Sequence, residues 1–202
     1  MHKRADLLEV SILGVLIDGP LHGYELRKRL VPILGALRPV SFGSLYPALR
    51  RLTDRGWIEP GAITPAIEST APPLSGRRAR VVYAITAEGK EAFAAWANQA
   101  GPDAWEDDGF AAHLAFFSRT EIRVRLRILQ GRRSRIEERI SSLREAMTRG
   151  RERMDAYTLQ LQQHGLEGAE REVRWLDELI TAEQRLADTG PSGPPLSEQE
   201  RS

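Results

Sequence analysis

The chain has 202 residues, 41% hydrophobic and 28% charged, with a net charge of +1 and no cysteine. This is the balance of a globular protein, and it excludes disulfides, thiolate metal sites and thiol catalysis. Charge is unevenly spread: residues 1–90 carry 13 Lys/Arg and 8 Asp/Glu (+5), residues 91–202 carry 16 and 20 (−4), so the front half suits a polyanion and the rear half does not.

The apolar run Val10–Ile17 is broken by Ser11 and closed by Asp18, too short to cross a bilayer. No small-residue cleavage site comes after it, so the expectation is a cytoplasmic chain with no membrane contact. Residues 5–18 predict the first helix, with Leu8, Ile12, Val15 and Leu16 in one stripe and Leu7, Val10 and Leu13 widening it. Gly19-Pro20 ends it. A second helix spans about 23–31, where Tyr24, Leu26 and Leu30 alternate with charged residues, and Pro32, Gly35 and Pro39 punctuate the connection to the third. In the third, about 42–54, Phe42, Leu45, Leu49 and Leu52 share a face, and Ser44, Pro47, Arg50 and Arg51 lie opposite. Ser41 is placed to cap it and Gly56 to end it in a left-handed turn. Three short helices joined by Gly/Pro turns have the form of a helix-turn-helix.

Trp57-Ile58-Glu59 and Arg80–Ile85 predict two antiparallel strands, with the Pro-rich, basic stretch 60–79 as their tip. A β-pair with a basic tip behind a helix-turn-helix makes a winged helix. Thr86 caps a further helix to about Gln99, and Gly101-Pro102 is the expected domain boundary. Another helix is expected at about 107–117, and Ser118-Arg119-Thr120-Glu121 is a capping-box pattern. From there a heptad register runs through Ile122, Leu126, Leu129, Arg133, Ile136, Ile140, Leu143, Met147, Gly150, Met154, Tyr157 and Leu161, a period that calls for a partner helix. Arg133 at a seam position needs an acid such as Glu137 or Glu138, or a bend of the helix away from the seam, and Gly150 marks a kink, so a packed helical domain is expected over a continuous two-stranded coil. His164-Gly165 closes this helix, and a last one at about 168–187 carries Val173, Leu176, Leu179, Ile180 and Leu186 as its apolar face. The fold class is mainly α: a winged helix-turn-helix (three helices and a two-stranded wing, 1–100), an all-helical dimerisation domain (101–188) and a disordered tail (189–202).

The residues Gly19-Pro20-Leu21-His22-Gly23-Tyr24-Glu25-Leu26, then Gly43-Ser44-Leu45-Tyr46-Pro47-Ala48-Leu49-Arg50-Arg51-Leu52, Gly56-Trp57-Ile58 and Tyr83–Gly89 carry a resemblance. In that order, over 7 to about 98, the chain resembles the PadR family of bacterial transcriptional regulators. The resemblance implies a homodimeric winged-helix repressor of a near-palindromic operator in double-stranded DNA, often released by a small aromatic or amphipathic effector. It implies no cofactor.

On this reading the DNA-binding residues are Tyr24, Lys28, Ser41, Ser44, Tyr46, Pro47, Arg50 and Arg51, with Arg77, Arg78 and Arg80 on the wing. An effector pocket would draw on Phe93, Trp96, Phe110, His113, Phe116 and Phe117, the alternative being that these aromatics form the interdomain core. A dimer interface would draw on Ile122, Leu126, Leu129, Ile136, Ile140, Leu143, Val173, Leu176 and Ile180. The four histidines are scattered and no catalytic or metal-binding motif occurs, so the chain is not expected to be an enzyme or to hold a metal. The competing class is a winged-helix adaptor that binds another protein.

Overall fold

The computed structural model describes residues 3–34, 40–61, 81–150 and 155–188. The chain divides into two compact units, 1–124 and 125–202.

The first unit is built round α1 (Lys3–Leu16), which packs against α2 (Gly23–Leu34), α3 (Phe42–Asp54) and α4 (Ala87–Ala97). Ile12, Leu13, Val15 and Leu16 of α1 are buried, with Leu26 and Leu30 of α2 and Leu45, Leu49 and Leu52 of α3 closing the core. Apolar residues repeating every three or four positions put one face of each helix on that core. The second helix runs past Pro32 to Leu34, further than the sequence suggested, because Leu34 is itself a core residue and anchors the last turn.

The expected two-stranded wing belongs to a three-stranded antiparallel sheet. Strand β1 (Leu21–His22) pairs with β3 (Val82–Ile85), which pairs with β2 (Ile58–Gly61), in the order β1-β3-β2. A two-residue strand is too short to leave a period in the sequence, which is why only two were expected. The wing tip, with Arg77, Arg78 and Arg80, lies outside the described residues, as does the tail from 189. Thr86 joins the sheet to the helices: it caps α4 by accepting from the Gly89 amide at 3.1 Å, and its hydroxyl donates to the Gly56 carbonyl at 2.7 Å.

Gly101-Pro102 does not separate the units. It opens a short helix, α5 (Pro102–Trp105), with proline in its first turn, succeeded by α6 (Asp107–Ala115) and a 3-10 turn at Phe117–Arg119. Helix α6 packs on α1 and α2. The rings of Phe116 and Phe93 occupy the space over Gly14, where a Cβ would come within 2.7 Å of both. That aromatic packing keeps 101–124 with the first unit. Ser118 sits in the 3-10 turn and does not cap the long helix, which starts at Ile122.

The second unit is a helical hairpin. The long heptad stripe does not form one helix to 161: α7 covers Ile122–Gly150, and α8 covers Ala156–Asp188. Asp155 caps α8, accepting from the amides of Tyr157 (2.8 Å) and Thr158 (2.9 Å) and from the Thr158 hydroxyl (2.8 Å). The Thr158 amide is the largest cause holding the Asp155 carboxyl below its usual range. His164 and Gly165 end nothing; they lie inside α8. Ion pairs Arg125–Glu183 (3.1 Å), Arg132–Glu172 (2.7 Å), Arg133–Asp177 (2.8 Å) and Arg144–Glu170 (2.7 Å) set the two helices antiparallel. Arg133 also meets Glu137 at 3.2 Å, so its seam position is met by two carboxylates.

Candidate nucleic-acid interface

Helix α3 is defined at both ends by its sequence. Ser41 accepts from the Ser44 amide at 3.2 Å, and the Ser44 hydroxyl donates back to the Ser41 carbonyl at 3.0 Å. Both serines expected among the DNA-binding residues are therefore used first to start the helix. At the other end Gly56 takes φ 72°, and the Trp57 amide donates to the Leu52 carbonyl at 3.0 Å, a closing turn only glycine enters without strain.

With Leu45, Ala48, Leu49 and Leu52 facing the core, α3 exposes Gly43, Pro47, Arg50 and Asp54 and leaves Ser44 half-buried. Pro47 has no N–H for the Gly43 carbonyl, and Gly43 has no side chain. This outward surface is consequently low and close to the backbone, with Arg50 rising beside it. Tyr46 is half-buried, its ring stacked on Phe42 at 6.0 Å between centroids. Its hydroxyl lies 3.3 Å from where a Cβ on Gly23 would stand, so glycine at the start of α2 lets the two helices approach. Tyr24 and Lys28 are one turn apart on the exposed side of α2, with Glu25 at 4.0 Å from the Lys28 ammonium.

Arg51 is half-exposed and, unlike Arg50, is tied to α1. Its Nε donates to the Glu9 carboxylate of α1 at 2.5 Å, and Arg55 Nη1 donates to the other oxygen at 2.6 Å. Three residues were missed from the sequence. Glu9 lies 42 and 46 positions from its partners, so no local pattern could reveal it. Arg27 donates from Nε to the Val40 carbonyl at 2.8 Å and covers the Phe42 ring at 5.0 Å, fixing the approach to α3. Tyr83 of β3 has its hydroxyl pKa raised, first by burial and then by Tyr46, while Arg50 opposes the rise. Tyr46, Tyr83 and Arg50 thus neighbour one another, which strand alternation alone did not disclose.

The aromatic residues considered for an effector pocket pack on one another within the first unit. Trp96 stacks on His113 at 4.1 Å, and Phe93 meets Phe116 edge-on at 5.3 Å. Phe110, Phe116, Phe117 and His113 are buried. His113 Nδ1 is buried without a hydrogen-bond partner, and burial lowers the imidazole pKa to about 4. In the second unit Leu129, Ile136, Ile140, Leu176 and Ile180 are buried within the single chain, and Leu143 and Val173 are half-buried, as are Ile122 and Leu126 along α7. Among the described residues no helix is long and apolar enough to cross a membrane.

Residues 12–95 match the family model described as the transcriptional regulator PadR-like family. This segment is similar to that family. It contains α1 from Ile12, the capped α3, the whole sheet and most of α4. The negative transcriptional regulator PadR of Bacillus subtilis (strain 168) is 29% identical over 90 residues, 45% of this chain and 44% of that protein. The match thus spans less than half the length of that relative. Among solved structures, B. subtilis PadR in complex with operator DNA is 22% identical, with 87% of this chain and 98% of that one covered and a TM-score of 0.38. The same regulator in complex with p-coumaric acid is 21% identical, at 88% and 99% coverage and 0.38. The PadR-like regulator BC1756 of Bacillus cereus is 19% identical, at 89% and 99% coverage and 0.38.

Proposed function

We propose that the protein is a PadR-like transcriptional regulator that represses as a homodimer on a near-palindromic operator. The observation that supports this most is the outward surface of α3, where Gly43, Pro47 and Arg50 face away from the core on a capped helix anchored by three buried leucines. Small residues let such a helix sit close to base edges, and a guanidinium fork suits guanine or phosphate. Tyr46, Tyr24 and Lys28 flank it with groups that donate to phosphate oxygens, and Arg77, Arg78 and Arg80 are proposed to reach the minor groove. Asp54 repels phosphate and limits the reading surface to the first turns of α3. For release we propose a small aromatic or amphipathic effector acting at the Trp96–His113 cluster.

The test is titration with the DNA upstream of the protein's own gene against random duplex at several salt concentrations. A preferred upstream fragment is expected, with Arg50→Ala weakening binding by about tenfold or more and lowering the salt slope by about one, near 0.9 per phosphate lost. No preference over random duplex refutes the repressor reading. Effector binding is read as a saturable fluorescence change that Trp96→Phe abolishes, and a change that survives this substitution places the ligand elsewhere.

A further inference from the structure

Helix α3 and its cap carry three arginines, and two of them, Arg51 and Arg55, are tied to a buried carboxylate of α1 while their side chains stay 42% and 45% exposed. We propose that Glu9 of α1 is a positioning residue for DNA reading, holding Arg51 and Arg55 away from the duplex and fixing the rotation of α3. The inference rests on the DNA-binding reading above. Glu9 is 1% exposed, and a carboxylate so buried is costly unless paired and hydrogen-bonded. Each of its oxygens takes one charge-assisted bond, from Arg51 at 2.5 Å and from Arg55 at 2.6 Å.

Those arginines are four residues apart, one above the other along α3, so a single carboxylate bonded to both resists rotation and sliding together. Arg55 is held on a second side by the Trp57 ring, 5.1 Å from its guanidinium carbon. Arg51 lies about 100° round the helix from Arg50. Turning α3 enough to bring Arg51 outward would carry Leu45, Leu49 and Leu52 out of the core. Glu9 thereby leaves Arg50 as the cation of α3 that Glu9 does not pair, and cancels part of the charge of Arg51 and Arg55 that would hold any duplex regardless of sequence. The clamp favours operator over random DNA by suppressing the competitor, which phosphate contacts alone do not do.

Wild-type, Glu9→Gln and Arg51→Met proteins are compared on operator and random duplexes across a salt series, each with a thermal melt. Glu9→Gln is expected to fold, to bind random duplex more tightly with a salt slope steeper by about one to two, and to lose most of its operator preference. Arg51→Met is expected to keep the wild-type slope, unlike Arg50→Met, whose slope falls by about one. A folded Glu9→Gln with wild-type slope and preference overturns the proposal, as does an Arg51→Met whose slope falls like that of Arg50→Met. Should Glu9→Gln not fold, the Arg51→Met comparison decides. A DNA-free arm separates this from the parent reading: Arg51 should show a protected Nε–H resonance by NMR. Its absence removes the clamp, whereas a protected resonance in a protein without operator preference counts against the DNA reading itself.

Discussion

His113 lies against the Trp96 ring at 4.1 Å, 3% exposed, with a pKa of about 4 set by desolvation. In the unfolded chain its pKa returns to about 6.5. Between these values the unfolded chain takes up a proton that the folded one refuses, so stability is complete above the unfolded pKa and falls as pH drops toward 4. The loss is on the order of 3 kcal/mol over that window. Thermal melts from about pH 7.5 down to about 4 should show it, and His113→Phe should flatten that part of the profile; an unchanged profile in the variant disproves this account. Gly89 makes a second residue-scale case, since a Cβ there would stand 2.0 Å from the Trp57 carbonyl oxygen. Gly89→Ala must push the start of α4 off the sheet, at a cost of about 3 kcal/mol, readable as a drop in the denaturant midpoint. A variant as stable as wild type would mean that the close approach relaxes freely.

Helix existence was legible in the sequence wherever capping and apolar period agreed. Ser41 with Gly56 bounded α3, and Thr86 opened α4, because their signals are local and each residue touches its own helix. Helix connectivity beyond Gly150 was not legible. Met154, Tyr157 and Leu161 continue the heptad in sequence, and a period alone does not distinguish a helix that continues from one that reverses. The local clue was Asp155 with Thr158, whose cap starts α8. The candidate site divides in the same way. Outward placement of Pro47 and Arg50 comes from helical period, whereas the removal of Arg51 to Glu9 depends on a partner in another helix. Reversal gives α7 and α8 their own mutual packing, with Leu176 fully buried. Leu176→Ala should therefore destabilise the second unit by about 2–5 kcal/mol through the lost contacts and the remaining void. An unshifted melt would mean that the hairpin closes without this side chain.

At the scale of the whole molecule, the proposed homodimer requires apolar surface that the hairpin leaves uncovered. Ile136, Ile140, Leu176 and Ile180 are already buried in one chain, so they support the hairpin and are unavailable as a free seam. Tyr157 and Leu161 stay open, one turn apart near the start of α8, 84% and 71% exposed. Two large apolar side chains at that spacing form a surface more costly to hydrate than a lone exposed residue, and a second copy covers such a patch symmetrically. Sedimentation equilibrium at micromolar concentration is expected to give a dimer. Leu161→Asp should shift it toward monomer by about tenfold or more in dissociation constant, with the helical signal unchanged. The shift is specific because Leu161 supports no core. A dimer untouched by Leu161→Asp places the interface on another face. A wild-type monomer at that concentration removes the homodimer, and with it the physical reason for a near-palindromic operator, since paired half-sites require paired reading helices.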